Sequence, residues 1–171
     1  MNDLFLIARA LHVVCAALWL GSVALLAFFV MPAVEKIGPD GGKLMTAMEK
    51  GGLHAFMGST AGVTVLLGLF LYWHFTANFD PTISRSTEGM VFGIGGVLGI
   101  VAAIIGGAVV GRGARKLVAM GPQLASAADA AQRTKLMGEF ESVRARVKSA
   151  SKIVVVLVTV TMIMMAVAHY V

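Results

Sequence analysis

Few side chains in this sequence can ligate a metal or move a proton near neutral pH, and their placement is unusual. His12 lies inside the apolar run LHVVCAALWLGSVALLAFFVM, residues 11–31. An ionisable group there is costly and by default points to function. His74 and His169 fall near the ends of two further apolar runs, and His54 stands at the start of one. Arg9 precedes His12 by about one helical turn and Cys15, the one cysteine, follows it by another. Met162 and Met165 share a helical face with His169 at spacings of three and four. Imidazole joined by thiol or thioether is the donor set of a haem iron or of Cu(I). Three imidazoles would also suit zinc, although nothing else recommends it.

Other chemistries lack their parts. No Ser or Cys has a base and an orienting carboxylate placed beside it. No carboxylate lies within an apolar run, so an acidic proton relay of the usual kind is missing. No glycine-rich phosphate loop leads into a helix of a soluble domain. What remains is imidazole ligation.

The elements that must hold these residues are membrane helices. The chain has 171 residues, 58% of them hydrophobic and 13% charged, against about a quarter charged in soluble domains. Mean hydropathy is +0.86. Four apolar runs are each near the ~20 residues that cross the hydrocarbon as a helix. They are continuous rather than alternating, which argues against barrel strands. The expected fold is an all-α, integral membrane four-helix bundle: one membrane domain over residues 1–171, with spans at about 9–31, 53–76, 90–111 and 152–171. Asp3 replaces the basic start of a cleavable signal and the first run is too long for one.

Charge orients the bundle. The connection near residues 32–52 carries Lys36, Lys43 and Lys50, and the connection at 112–151 with its flank carries nine Lys and Arg, from Arg112 to Lys152. Arg9 and Arg85 are the only basic residues on the opposite side. Under the positive-inside rule both termini lie outside and both basic connections lie in the cytoplasm, as in a multi-pass protein of a bacterial-type inner membrane. Leu136, Phe140, Val143 and Val147 recur at helical spacing, so the fourth helix is expected to start well before the membrane. Its basic face reads as solvated or turned to lipid headgroups. Nucleic acid is not an expected partner, because no fold for that purpose is present.

This orientation gathers three histidines. Arg9 snorkels to the outer interface and puts His12 about one turn below it. His74 and His169 lie near the outer ends of the second and fourth helices, so all three imidazoles are expected at one depth. His54, about 30 Å from His74 along a straight helix, belongs to the other side. Trp19, Trp73, Tyr72 and Tyr170 add aromatic rings. The third helix instead has a small-residue stripe, Gly95, Gly99, Ala102 and Gly106, flanked by Gly96, Ala103 and Gly107. Such a stripe lets helices approach closely, within the bundle or in a homodimer; it would also leave room for a flat macrocycle.

The segment LHVVCAALWLGSVALLAFFVMPAV, with His12, Trp19, Gly21 and Pro32, resembles the first helix of the copper resistance protein D family. It is similar also to related small membrane families that open on LHxxxxxLWxG. The larger grouping these families resemble includes a haem-b-containing protoporphyrinogen oxidase family with a histidine in a similar first helix. The resemblance implies a histidine-bearing four-helix bundle, points to copper and to haem alike, and carries over one position, His12.

The leading expectation is a small b-type cytochrome-like redox protein. His12 and either His74 or His169 would be axial ligands of haem b, and Arg9 would pair with a propionate. The alternative is a copper-handling protein in which His12, His74 and His169, with Cys15 or Met165, form one donor set. A third is a cofactor-free assembly or interaction subunit. Besides the lipid bilayer, the partners these readings imply are a redox partner or a second copy of the chain.

Overall fold

The structure, a computed structural model, describes residues 3–171. Four long helices dominate it: α1 (Asp3–Ile37), α2 (Leu53–Phe75), α3 (Thr87–Ala125) and α4 (Ala130–Tyr170), each long and apolar enough to cross a membrane. A short helix, Gly41–Lys50, joins α1 to α2, and a single turn, Pro81–Ser84, precedes α3. The described residues contain no strand.

Local chemistry sets the ends of these helices. Gly52, at φ 87°, turns the chain into α2, a conformation open to glycine at little cost. The Ser86 hydroxyl accepts from the Gly89 amide at 3.1 Å to start α3, and Asp129 accepts from the Gln132 amide at 2.6 Å to start α4. Asp80 caps the turn at Pro81 by accepting from the Thr82 amide at 2.8 Å. That backbone donor, followed by the Thr82 side chain, holds the Asp80 carboxyl below the usual aspartate range.

Two helices widen into π turns, at Leu26–Val30 in α1 and Gly106–Gly111 in α3. In α1 the cause is Pro32, which lacks an amide hydrogen and crowds the carbonyl four residues back, inside the widened stretch. In α3 the widened stretch opens on the pair Gly106–Gly107, a common place for a helix to deform.

Packing is concentrated toward the basic end of the bundle. Trp19, Val23 and Ala27 of α1 meet Ala102 of α3 and Val154, Val155 and Val158 of α4, with Met57 and Ala61 of α2 against them. Elsewhere the seams between helices close on glycine. Gly68 of α2 takes His12 of α1, Gly93 of α3 takes Tyr72 of α2, and Gly95 of α3 takes the end of Met165 of α4. An added Cβ at these glycines would come within 2.9, 2.9 and 3.1 Å of the side chain opposite. Gly95, Gly99 and the fully buried Ala102 therefore seat α3 on α4.

Both α3 and α4 outrun their apolar stretches and leave the bundle as an antiparallel hairpin, turned at residues 126–129. Its seam is Gly113 against Val147, with Met120 buried beneath. Lys116 of α3 holds Glu139 of α4 at 2.5 Å, and this contact keeps the Glu139 carboxyl below the usual glutamate range. The α4 half of the hairpin follows from Leu136, Phe140, Val143 and Val147; the α3 half has its own weaker signal in Leu117, Met120 and Leu124.

Candidate functional site

His12 lies on the α1 face marked by the buried Ala8, Ala16 and Trp19. Its Nδ1 lies 2.8 Å from the Thr64 carbonyl oxygen of α2. A carbonyl oxygen only accepts, so Nδ1 carries the proton and donates; in the neutral ring this leaves the Nε2 lone pair unshared. The Thr64 hydroxyl does not compete, because it donates to the Thr60 carbonyl at 2.7 Å. Gly68, one turn farther along α2, gives the ring room to lie against the helix. An imidazole tied through one nitrogen to a backbone carbonyl, with the other nitrogen bare, is oriented as metal-ligating histidines commonly are.

His74 and His169 have other surroundings. The His74 ring lies tilted against Phe5 with centroids 4.8 Å apart, and edge-on to Phe70 at 6.3 Å. Phe5 precedes His12 by seven residues in α1, which places His74 about 10 Å nearer the end of the bundle than His12. His169 pairs through Nδ1 with Glu88 at the start of α3, its ring edge-on to Phe92 at 5.2 Å. Phe92 in turn meets Phe75 at 5.2 Å. His74 and His169 thus flank an aromatic layer at the far end, while His12 lies deeper. Both are exposed, and His12 is half-buried.

The three imidazoles share an end of the bundle but have separate partners. The shared depth assumed from Arg9 fails because α1 already runs from Asp3, more than two turns before His12. Among the described residues no group of three or more His, Cys, Asp or Glu side chains is placed to hold a metal ion. Cys15 is half-buried, one turn from His12, and Met165 is taken up by Gly95. Arg9 is exposed and makes no ion pair among the described residues. Trp19 belongs to the apolar core, and the Tyr72 hydroxyl donates to the Gly89 carbonyl at 3.3 Å. His54, at the basic end, pairs with Glu49 and lies beside Gly111.

Several residues that shape the site are not chemically conspicuous in the sequence. Thr60, Thr64 and Gly68 recur every four residues on α2, a small and polar stripe in an otherwise apolar run, and it is this stripe that receives His12. The turn after α2 is the other. Ala77, Asn78 and Phe79 all adopt positive φ, at 48°, 66° and 65°. Thr76, fully buried, holds them: its hydroxyl donates to the Tyr72 carbonyl at 2.8 Å and accepts from the Phe79 amide at 3.1 Å.

Comparison of the chain with protein-family models, curated proteins and solved structures finds no match. The reading of the site therefore rests on its own chemistry.

Proposed function

We propose that this is a small membrane haem b protein in which His12 supplies an axial imidazole. The observation that carries the reading is the hydrogen bond from His12 Nδ1 to the Thr64 carbonyl, which orients the ring and leaves Nε2 free to ligate. The donor chemistry fits one axial ligand and does not place a second at the same depth, since His74 and His169 are engaged at the far end. Arg9, one turn from His12, is the cation available to a propionate. Haem, when bound, would supply one-electron transfer, with His12 as the residue of this chain that would hold it. The first-helix resemblance and the positive-inside bias agree with this placement: basic end in the cytoplasm, histidine-bearing far end toward the outside of an inner membrane.

A second reading, a cofactor-free interaction subunit, is favoured by Gly58 and Gly62. They lie one turn apart on an exposed face of α2, with nothing within 4 Å of an added Cβ at either. Copper handling by a shared set of three histidines has no such support in the arrangement of the side chains.

Absorption spectra of the detergent-purified protein, air-oxidised and then dithionite-reduced, separate the readings. Haem predicts a Soret band that shifts and sharpens on reduction, is lost in His12→Ala, and survives in His74→Ala and His169→Ala. A featureless spectrum after expression with ample haem would overturn the proposal. Metal analysis of that sample would then decide between copper and a bare bundle.

A further inference from the structure

The basic end carries more positive charge than its own acids neutralise, and the surplus is arranged in a ring. Three contacts fix the level of this ring across the helices. Gly111 of α3 lies beside His54 of α2, Gly113 lies on Val147 of α4, and Glu35 of α1 binds Lys148 of α4 at 3.1 Å through both oxygens. Residues near 35, 50–54, 111–115 and 147–152 therefore fall within a band about 10 Å deep, just past the apolar stretches. The acids at this level are already engaged: Glu35 with Lys148 and Arg144, and Glu49 with His54. Lys36, Lys50, Arg112, Arg115 and Lys152 are all exposed and, among the described residues, none has a carboxylate within ion-pairing distance. Arg115 spends only its Nε, on the Gly111 carbonyl at 3.3 Å.

Farther out, by contrast, the hairpin carries as many acids as bases: Lys116 pairs with Glu139, and Asp129 and Glu141 stand against Arg133 and Lys135. The far end has Asp80 and Glu88 against Arg85 and Arg9. Uncompensated charge is therefore concentrated where the helices leave the hydrocarbon. That is the depth of the lipid phosphates, within a Debye length of which cations attract anionic headgroups.

We propose that this ring, Lys36, Lys50, Arg112, Arg115 and Lys152, is a binding surface for anionic phospholipid headgroups in the leaflet at the basic end. Long, exposed Lys and Arg stems can reach outward from the helix ends while their charged groups settle among the phosphates. An annulus enriched in anionic lipid follows. Such binding needs no cofactor at His12.

The test is electron paramagnetic resonance of the full chain reconstituted in phosphatidylcholine with spin-labelled phosphatidylglycerol or spin-labelled phosphatidylcholine as probe. The wild-type chain should hold the anionic probe about three- to fivefold more strongly than the zwitterionic one, and raising salt from about 50 to 500 mM should bring the ratio toward unity. Replacing all five ring residues by Gln should bring it to unity at low salt, while Arg133→Gln with Lys135→Gln, at the hairpin tip, should leave it unchanged. Equal retention of the two probes by the wild-type chain, or a preference that ignores salt, would overturn the proposal. The salt series needs no variant, so it decides the matter even if the five-fold replacement fails to insert.

Discussion

The two ends of the bundle are built differently. Toward the basic end, residues of all four helices meet around Trp19, Val154 and Val158, and ion pairs clamp α1 to α4 through Glu35. Toward the far end, helices meet in pairs, each pair closed by a side chain laid on a glycine: His12 on Gly68, Tyr72 on Gly93, Met165 on Gly95. A shared core resists any one helix moving, whereas pairwise seams let a polar side chain sit between two helices without disturbing the rest. Stability is thus placed where the chemistry is not. The histidine whose Nδ1 donates to Thr64 occupies such a seam, outside the shared core.

Substitutions should separate the two regions. Trp19→Ala removes the largest side chain of the shared core and should cost about 3 kcal/mol in reversible unfolding from detergent. Any haem retained by the folded fraction should keep an unchanged spectrum. A spectral change there would mean that core and site are one unit after all.

Gly68→Leu attacks the other region, since even a Cβ would come within 2.9 Å of the His12 ring. Overpacking of this kind typically costs about 1–3 kcal/mol. Its larger consequence should be displacement of the imidazole and loss of haem comparable to that in His12→Ala. Wild-type haem content in this variant would show that the seam does not position His12.

Relief of backbone strain should run the opposite way. Ala77→Gly and Phe79→Gly, at positions held at positive φ, should each raise stability by roughly 0.5 kcal/mol, the left-handed penalty less the entropy that glycine loses. Thermal melts of the two variants would check this, and a loss at either would mean that its side chain supports the turn.

The smallest effect concerns the hairpin. Lys116 depresses the Glu139 carboxyl, so their pairing contributes fully above the unfolded carboxylate value and is lost as the pH falls through the lowered one. Protection of hairpin amides, corrected for the slowing of intrinsic exchange in acid, should therefore fall as the pH drops through the carboxylate range. Glu139→Gln should flatten that dependence and leave exchange in the membrane helices unaltered.

How much of this was legible in the sequence follows from what hydropathy measures. Four apolar runs announced four helices, because every backbone polar group in lipid must be satisfied within its own segment. Hydropathy marks the hydrocarbon, not the helix, so it did not register the first turns of α1 from Asp3. The same offset made His12 look level with His74 and His169. Charge marked the basic end, since Lys and Arg there keep their bias without specific partners. The partner of His12 was illegible for a different reason: it is a backbone carbonyl, which any residue at position 64 supplies. Only the four-residue recurrence of Thr60, Thr64 and Gly68 hinted at that face. The left-handed turn at Ala77–Phe79 gave one weak sign, Asn78, which tolerates positive φ; neither Ala nor Phe favours it, and the hydroxyl that stabilises it belongs to Thr76.

One element crosses all of these regions unbroken. α4 runs from Ala130 to Tyr170 without a proline or a π turn, about 60 Å of continuous helix. α1 and α3, its neighbours, are each widened near the basic end. A hydrogen-bonded rod of this kind neither shortens nor bends readily. In mechanical terms α4 is a spar: it fixes the span between the hairpin tip and the His169–Glu88 contact, and the shared core around Val154 and Val158 pins it in between.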